Sequence, residues 1–134
     1  MEDADLYAAV ADPRVDIQVL YVDGTPAGYV EIDRRECKGG VSQKIADIGY
    51  FGLMPEYLGR GLGPWLLRAG IDMAWEGGTA KVTVNTCSFD HPSALGLYQS
   101  MGFRAVRHVA HDIPDPRVHG WLPRHVAPHI PINE

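Results

Sequence analysis

A glycine-rich segment near the middle of the chain limits the possible folds more than any other feature. Residues 53–64 read LMPEYLGRGLGP, with glycine at positions 59, 61 and 63. Glycine lets the backbone turn tightly and approach an anion, and a helix that starts at such a turn adds the positive end of its dipole. The segment therefore predicts a phosphate-binding loop between a strand and a helix. The alternative is a flexible turn that only precedes a helix.

The spacing of these glycines disfavours two common phosphate-binding motifs. A nucleotide triphosphatase would need a Lys-Ser or Lys-Thr pair after the last glycine, and this sequence has none there. The pattern is Gly-x-Gly-x-Gly, whereas a standard dinucleotide fold carries Gly-x-Gly-x-x-Gly. The loop is thus expected to hold a phosphate of another kind of ligand.

Hydrophobic periodicity predicts an alternation of strands and helices. Strands are predicted over residues 15–22, 27–32, 44–53 and 81–85, and helices over residues 3–11 and 62–75. The first two strands are joined by the turn Asp23-Gly24 and form a hairpin. The order strand, helix, strand between residues 44 and 85 predicts a parallel pair, because a helix is the usual crossover between parallel strands.

Capping residues and prolines guide the prediction for the last third of the chain. Asp90 is expected to cap a helix that has Pro92 in its first turn and ends at Gly102. Residues 103–109 are expected to form a further strand. Five prolines follow position 113, so residues 114–134 are expected to be an extended tail that packs on a surface. Residues 33–43 are expected to form a flexible connection.

Length and charge restrict the class of protein. With 134 residues, 46% of them hydrophobic, the chain suits a single domain over residues 1–134. The formal net charge of −5 argues against nucleic acid as a partner and fits a cationic or amine substrate better. Neither a signal peptide nor an apolar run long enough for a membrane span is found, so a cytoplasmic location without membrane association is expected.

Cysteines and histidines give little support for a disulfide, a thiol nucleophile or a metal site. Cys37 and Cys87 are expected to be free thiols, and Cys87 to be a small buried residue without a catalytic partner. The histidine spacings match no common ligand motif, and a proline-rich tail would not hold the rings rigidly, so no metal is expected. The histidines concerned are His108, His111, His119, His125 and His129.

Three segments, within residues 15–116, resemble the GNAT superfamily of bacterial N-acetyltransferases. Residues 58–63 resemble the family's Gln/Arg-x-x-Gly-x-Gly/Ala motif, with Leu58 in place of the usual Gln or Arg. Residues 47–53, DIGYFGL, resemble the family's fourth strand, and Gly52 suits the bulge of that strand. Residues 85–94 and 97–103 resemble the segment that carries the family's general-acid tyrosine.

This resemblance implies an α/β fold and a cosubstrate. The implied GNAT fold has a mixed, mostly antiparallel sheet that splays between its fourth and fifth strands, with helices on both faces. Acetyl-CoA would lie in the splay, with its pyrophosphate on the glycine-rich loop, and no metal would be needed. The acceptor would be a primary amine of a small molecule, an amino acid, or a protein or peptide.

The resemblance also assigns roles to individual residues. Tyr98 would protonate the thiolate that leaves, and Asp47 would act as the general base, through water, or only fix the substrate ammonium. Tyr98 has a plain alternative as a core tyrosine, and Asn85 as a backbone cap. The residues expected to bind the cofactor are Phe51, Leu53, Leu58, Gly59, Arg60, Gly61, Leu62, Gly63 and Asn85.

The predicted function is the transfer of an acetyl group from acetyl-CoA to an amine, by direct attack in a ternary complex. Two alternatives stay open: a non-catalytic acyl-CoA-binding or regulatory module, and a structural partner subunit. Few residues precede position 15, whereas the family usually has a strand and one or two helices there. The strand at 15–22 would then be an edge that needs cover, which suggests a homodimer.

Overall fold

The computed structural model describes residues 3–35, 44–88, 90–110 and 114–132. The chain divides into two compact units, residues 1–85 and residues 86–134. The predicted connection at 33–43 falls mostly outside the described residues, as does Cys37. Among the helices of the described part, none is long and apolar enough to cross a membrane.

The first unit contains a four-stranded mixed sheet and two α-helices. In chain order they are α1 (Asp3–Ala11), β1 (Val15–Val22), β2 (Thr25–Asp33), β3 (Ile45–Leu53), α2 (Leu62–Ala74) and β4 (Lys81–Val84), with a 3₁₀ turn at Pro55–Tyr57 before α2. The predicted bounds of all six elements are confirmed to within two residues. Periodicity sufficed here because each of these strands and α2 carries its own apolar pattern.

The strand order is β1-β2-β3-β4, antiparallel between the first three strands and parallel between β3 and β4. The parallel pairing runs only from Ile45 opposite Lys81 to Ile48 opposite Val84. β3 then continues to Leu53, beyond the last residue of β4. The strands predicted to splay as the fourth and fifth are thus β3 and β4, and the pairing between them ends halfway along β3.

The bulge of β3 lies at Gly49 and not at Gly52, so the prediction for Gly52 was wrong. Glu31 pairs with Tyr50 and Ile32 with Ile48, which leaves Gly49 as the extra residue, whereas Gly52 is paired normally. A Cβ on Gly49 would come within 2.6 Å of Glu31 Oε1. The glycine therefore leaves room for a carboxylate on the neighbouring strand.

Helix α2 packs on β2 and β3 and provides the core of the first unit. Its buried residues include Leu66, Leu67 and Gly70, and Val30 and Ile32 of β2 are fully buried. A Cβ on Gly70 would lie 2.8 Å from a methyl group of Val30, so the glycine allows close approach of helix and strand. Trp65 of the same helix is 61% exposed and does not belong to the core.

In the second unit, α3 covers Ala94–Ser100 and is shorter than predicted. Ser93 occupies the N-cap position, and Asp90 does not. The Asp90 carboxylate instead accepts hydrogen bonds from the Thr86 hydroxyl at 2.6 Å and from the Cys87 N–H at 2.9 Å. It closes the turn that precedes the helix, and Pro92 lies before the first helical residue.

Two further expectations for this unit were wrong. Residues 103–110 form no strand; apart from Phe103 they are exposed, and no described strand pairs with them. The tail at residues 114–132 is folded into turns rather than extended. Arg117 is 2% exposed, pairs with Asp115 at 2.7 Å, and donates to the carbonyls of Val126, Ala127 and Ile130. The Arg117 guanidinium thus binds several backbone carbonyls of a proline-rich segment that forms no helix or strand among the described residues.

Candidate active site

The glycine-rich loop joins the 3₁₀ turn to the start of α2. Gly59 and Gly61 have φ values of 76° and 73°, in the left-handed region that favours glycine. Gly61 is the N-cap of α2 and provides no side-chain cap, so the first N–H groups of the helix have no side-chain acceptor there. Such a turn presents backbone donors and the positive helix end to an anion.

Leu58 and Arg60 of this loop make contacts that their positions in the sequence motif do not indicate. The Leu58 N–H donates to the Pro55 carbonyl at 3.3 Å. This hydrogen bond closes the 3₁₀ turn, so the N–H is already used within the protein. The Arg60 guanidinium lies over the Tyr57 ring, 5.6 Å from its centroid. A cation held at the mouth of an anion-binding turn adds attraction for phosphate.

The end of β3 contacts the glycine-rich loop at Gly63. Gly63 packs against Leu53, with 3.6 Å from its ideal Cβ position to a Leu53 methyl group, and Phe51 lies at 4.0 Å. Gly28 of β2 has no room for a Cβ, because the carbonyl of Gly52 would lie at 2.5 Å. Phe51 and Leu53 thereby fix the start of α2 against the end of β3 that extends beyond β4.

Asp47 lies on β3 where the parallel pairing with β4 still holds. Its Oδ1 accepts a hydrogen bond from the Thr83 hydroxyl of β4 at 2.7 Å. Burial raises the pKa of this carboxyl, the Thr83 hydrogen bond opposes the rise, and the charge of Asp33 adds to it. A carboxylate with a raised pKa is a stronger proton acceptor, as a general base requires.

Tyr98 belongs to the second unit and is 8% exposed. Its ring meets Phe103 edge-on, with centroids 6.1 Å apart. Burial, and to a smaller extent the charge of Asp90, raises the pKa of the hydroxyl. The phenol therefore stays protonated at neutral pH, as a proton donor must.

Comparison with known proteins decides the family. Residues 2–103 match the acetyltransferase (GNAT) family. The chain belongs to this family. Among curated proteins, the N-alpha-acetyltransferase RimI of Mycobacterium tuberculosis is 39% identical over 83 residues. That match covers 62% of this chain but only 48% of the RimI chain, so the similarity spans about half of the relative's length.

Solved structures confirm the GNAT fold. An aminoglycoside N-acetyltransferase in complex with coenzyme A superimposes with a TM-score of 0.65 at 17% identity, over 84% of each chain. A protein from Bacillus halodurans described as a transcriptional regulator gives a TM-score of 0.68 at 19% identity, over 82% of this chain and 73% of that one. At such identities the likeness establishes the fold alone.

Most of the residues predicted for the site of this GNAT chain fall in the first unit. Asp47, Phe51, Leu53 and the loop at 58–63 lie along β3 and at the start of α2. Asn85 directly follows β4 and is exposed. Cys87, expected to be buried, is an exposed free thiol, because it lies in the turn closed by Asp90.

Two polar residues that interact with Asp47 were not predicted from the sequence. Thr83 bonds Asp47 directly, and Glu31 is a buried acid on β2 whose charge interacts with Asp47. A signal for Glu31 was present: a carboxylate interrupts the apolar run YVEI in the strand predicted over residues 27–32. A buried charge in such a run is rarely tolerated without a partner or a function.

Proposed function

We propose that this protein transfers an acetyl group from acetyl-CoA to a primary amine. The observation that carries the proposal is the left-handed glycine turn that opens α2 beside the end of β3 that extends beyond its pairing with β4, in a chain of the acetyltransferase family. Backbone donors of that turn suit a pyrophosphate, and the edge of β3 beyond its pairing with β4 suits an extended thioester arm.

We assign the coenzyme A pyrophosphate to the N–H groups of residues 59–63, with Arg60 as an added cation. Phe51 and Leu53 would contact the pantetheine arm, and the backbone at Leu53 would polarise the thioester carbonyl. Leu58 is left with a lesser part, because its N–H already bonds Pro55. Asn85, exposed directly after β4, is assigned to the pantetheine or to a bound water.

In the proposed reaction the amine nitrogen attacks the thioester carbon, so that a C–N bond forms and the C–S bond breaks. The ammonium first loses one proton through water to Asp47, which passes it to solvent. After attack the nitrogen releases a second proton. Tyr98 donates a proton to the leaving thiolate, and the second proton restores the phenol, so the products are an amide, a thiol and one proton.

The class of amine is proposed from the names of the relatives. RimI is described as an N-alpha-acetyltransferase, and a structural neighbour as an aminoglycoside N-acetyltransferase. Both descriptions name acetyl transfer to nitrogen, so peptides with a free α-amine and polyamino sugars head the panel of candidates. The net negative charge of this chain favours such cations.

A panel of amines, amino acids, peptides and aminoglycosides tests the proposal, with acetyl-CoA present and free thiol monitored. We expect thiol release that depends on the amine. A ligand that binds only the folded state also raises Tm, so acetyl-CoA alone should stabilise the protein. Stabilisation without thiol release across the panel would favour the alternative of a non-catalytic acyl-CoA-binding or regulatory module. Absence of both would favour a structural subunit.

We also propose a homodimer, formed along β1. This strand is an edge of the described sheet, and three of its large apolar side chains, Ile17, Val19 and Tyr21, are exposed. Edge strands of this kind are normally covered or paired. Light scattering at micromolar concentration tests the assembly, and a monomeric mass would contradict it. A cytoplasmic location stays a prediction.

A further inference from the structure

Glu31 is a buried carboxylate without a hydrogen-bonding partner in the described part of the chain. The residue is 6% exposed, and none of the described side-chain hydrogen bonds or ion pairs includes it. Every fully enclosed side-chain polar atom of the described residues does have such a bond. The carboxylate oxygens of Glu31 are therefore not fully enclosed by the described residues.

The register of the sheet places Glu31 on the same face as Asp47. Side chains of directly paired residues lie on one face, and residues two apart on a strand share that face. Glu31 and Asp33 thus share a face of β2, and Asp33 pairs with Asp47 of β3. Glu31 itself pairs with Tyr50, which also turns to this face because the bulge at Gly49 shifts the alternation.

Two tyrosines lie near Glu31 on this face. Tyr29, two residues before Glu31, is 43% exposed, and Tyr50 is 46% exposed. Aromatic faces attract cations, and the attraction adds to that of nearby carboxylates. Phenol rings beside unneutralised acids form surroundings suited to an organic ammonium group.

Two of the three carboxylates on this face, Glu31 and Asp47, form no ion pair with any lysine or arginine that the structure describes. Arg35 pairs with Asp33 at 2.6 Å, so Asp33 has a cationic partner. Asp47 accepts a neutral hydroxyl, and no described lysine or arginine forms an ion pair with Asp47 or Glu31. Among the described residues there is also no group of three His, Cys, Asp or Glu that could hold a metal ion.

We propose that Glu31 binds the ammonium group of the acceptor substrate and positions it beside Asp47. This inference rests on the proposed acetyl transfer and extends it. Glu31 is a specificity residue for cationic primary amines, and the bulge at Gly49 makes room for its carboxylate. The proton is still removed by Asp47, whose hydrogen bond to Thr83 fixes its orientation.

The energetic cost of Glu31 supports a role in binding. Burial, and next the charge of Asp33, raises the pKa of this carboxyl, whereas Arg35 lowers it and Asp47 raises it further. The charged form is thus disfavoured in the free protein. A bound ammonium would provide the hydrogen-bonding partner that the described residues do not supply, and functional sites are where groups with such shifted pKa values are found.

Direct binding of amines to wild type and Glu31→Gln tests the inference independently of turnover. Calorimetry with coenzyme A present would use the best acceptor of the panel, or a short peptide with a free α-amine. Loss of a hydrogen bond to a charged group weakens binding by about 10- to 100-fold. Glu76→Gln is the matched control, because Glu76 is exposed at the end of α2 and has no described ion pair.

We expect Glu31→Gln to lower amine affinity at least 10-fold, to raise KM similarly, and to leave the Tm shift by acetyl-CoA unchanged. Glu76→Gln should bind like wild type. Equal amine affinity of wild type and Glu31→Gln, or no amine binding to wild type, would overturn the inference. Amine binding that needs Glu31 without any thiol release would support it and contradict the proposed transfer, which separates the two failures.

Discussion

The proposed role of Tyr98 can be tested by a substitution that removes only its hydroxyl group. Tyr98→Phe keeps the ring and its edge-on contact with Phe103 but removes the hydroxyl. Because general acids contribute about 10²- to 10⁴-fold in rate, we expect kcat to fall by about that factor while acetyl-CoA affinity stays nearly unchanged. Steady-state kinetics and thermal shift together measure the two effects.

The matched control for this variant is Tyr7→Phe, because the Tyr7 side chain is 76% exposed and loses the same hydroxyl. It should leave kcat unchanged. Loss of folding or of cofactor affinity in Tyr98→Phe would assign Tyr98 a structural role. Full kcat with an amine for which chemistry limits turnover would assign proton donation to another group.

Asp47 can be tested through its hydrogen bond to Thr83. A base works only when deprotonated, so kcat/KM falls as pH drops through its pKa. The Thr83 hydroxyl lowers the pKa of Asp47, so Thr83→Val should raise it and move the acidic limb of the kcat/KM profile to higher pH. Asp47→Asn should remove this limb and lower kcat/KM about 10²-fold or more. An unmoved limb in Thr83→Val would mean that another group is the base.

At the scale of elements, the loop before α2 carries the cofactor assignment. Gly61→Glu places a bulky negative side chain at the proposed pyrophosphate site, so we expect it to abolish the Tm shift by acetyl-CoA. Gly77→Glu is a matched control, because Gly77 has a φ of 76° against 73° for Gly61 and no atoms near its ideal Cβ position. Both variants introduce the same backbone strain, and only the first meets phosphate. A normal shift in folded Gly61→Glu would contradict the loop assignment.

The elements show where sequence reasoning succeeds and where it fails. β3 and α2 were predicted nearly to their ends, because an amphipathic or apolar pattern is a local property. The bulge was assigned to Gly52 and lies at Gly49, because its position depends on the Glu31 side chain of the neighbouring strand. Asp90 was wrongly expected to cap α3, because a turn competed for its carboxylate.

The same limit applies to the candidate site. The loop and Tyr98 were predicted because the residues of each motif are consecutive in sequence. Glu31 and Thr83 come close to Asp47 only through strand register across three strands, which one sequence does not encode in a short pattern. The turns around Arg117 were missed for a similar reason, since one guanidinium binds carbonyls 9 to 13 residues away.

At the scale of the whole molecule, Glu31 should lower the stability of the fold. Its pKa is raised in the folded state, so the stability linked to its protonation is present at low pH and is lost as pH rises through that pKa. Glu31→Gln should therefore have a higher Tm than wild type near neutral pH. For a domain of this size, a change of about 1 kcal/mol in the free energy of unfolding shifts Tm by about 4 °C.

The difference between the two proteins should vanish below about pH 4, where the carboxyl is protonated in both folded and unfolded chains. Thermal melts of wild type, Glu31→Gln and Glu76→Gln over a pH series measure this. A Glu31→Gln variant that is less stable than wild type at neutral pH would mean that Glu31 has a stabilising partner.

Acetyl transfer to nitrogen is most directly tested by stoichiometry in a single reaction. Thiol release and amide formation are measured together, by thiol reagent and by mass spectrometry of the amine, with the best acceptor of the panel. We predict one acetylated amine for each thiol released, and an equal fall in the rates of both in Tyr98→Phe. Thiol released without acetylated amine would mean hydrolysis of the thioester, and would contradict the transfer reaction.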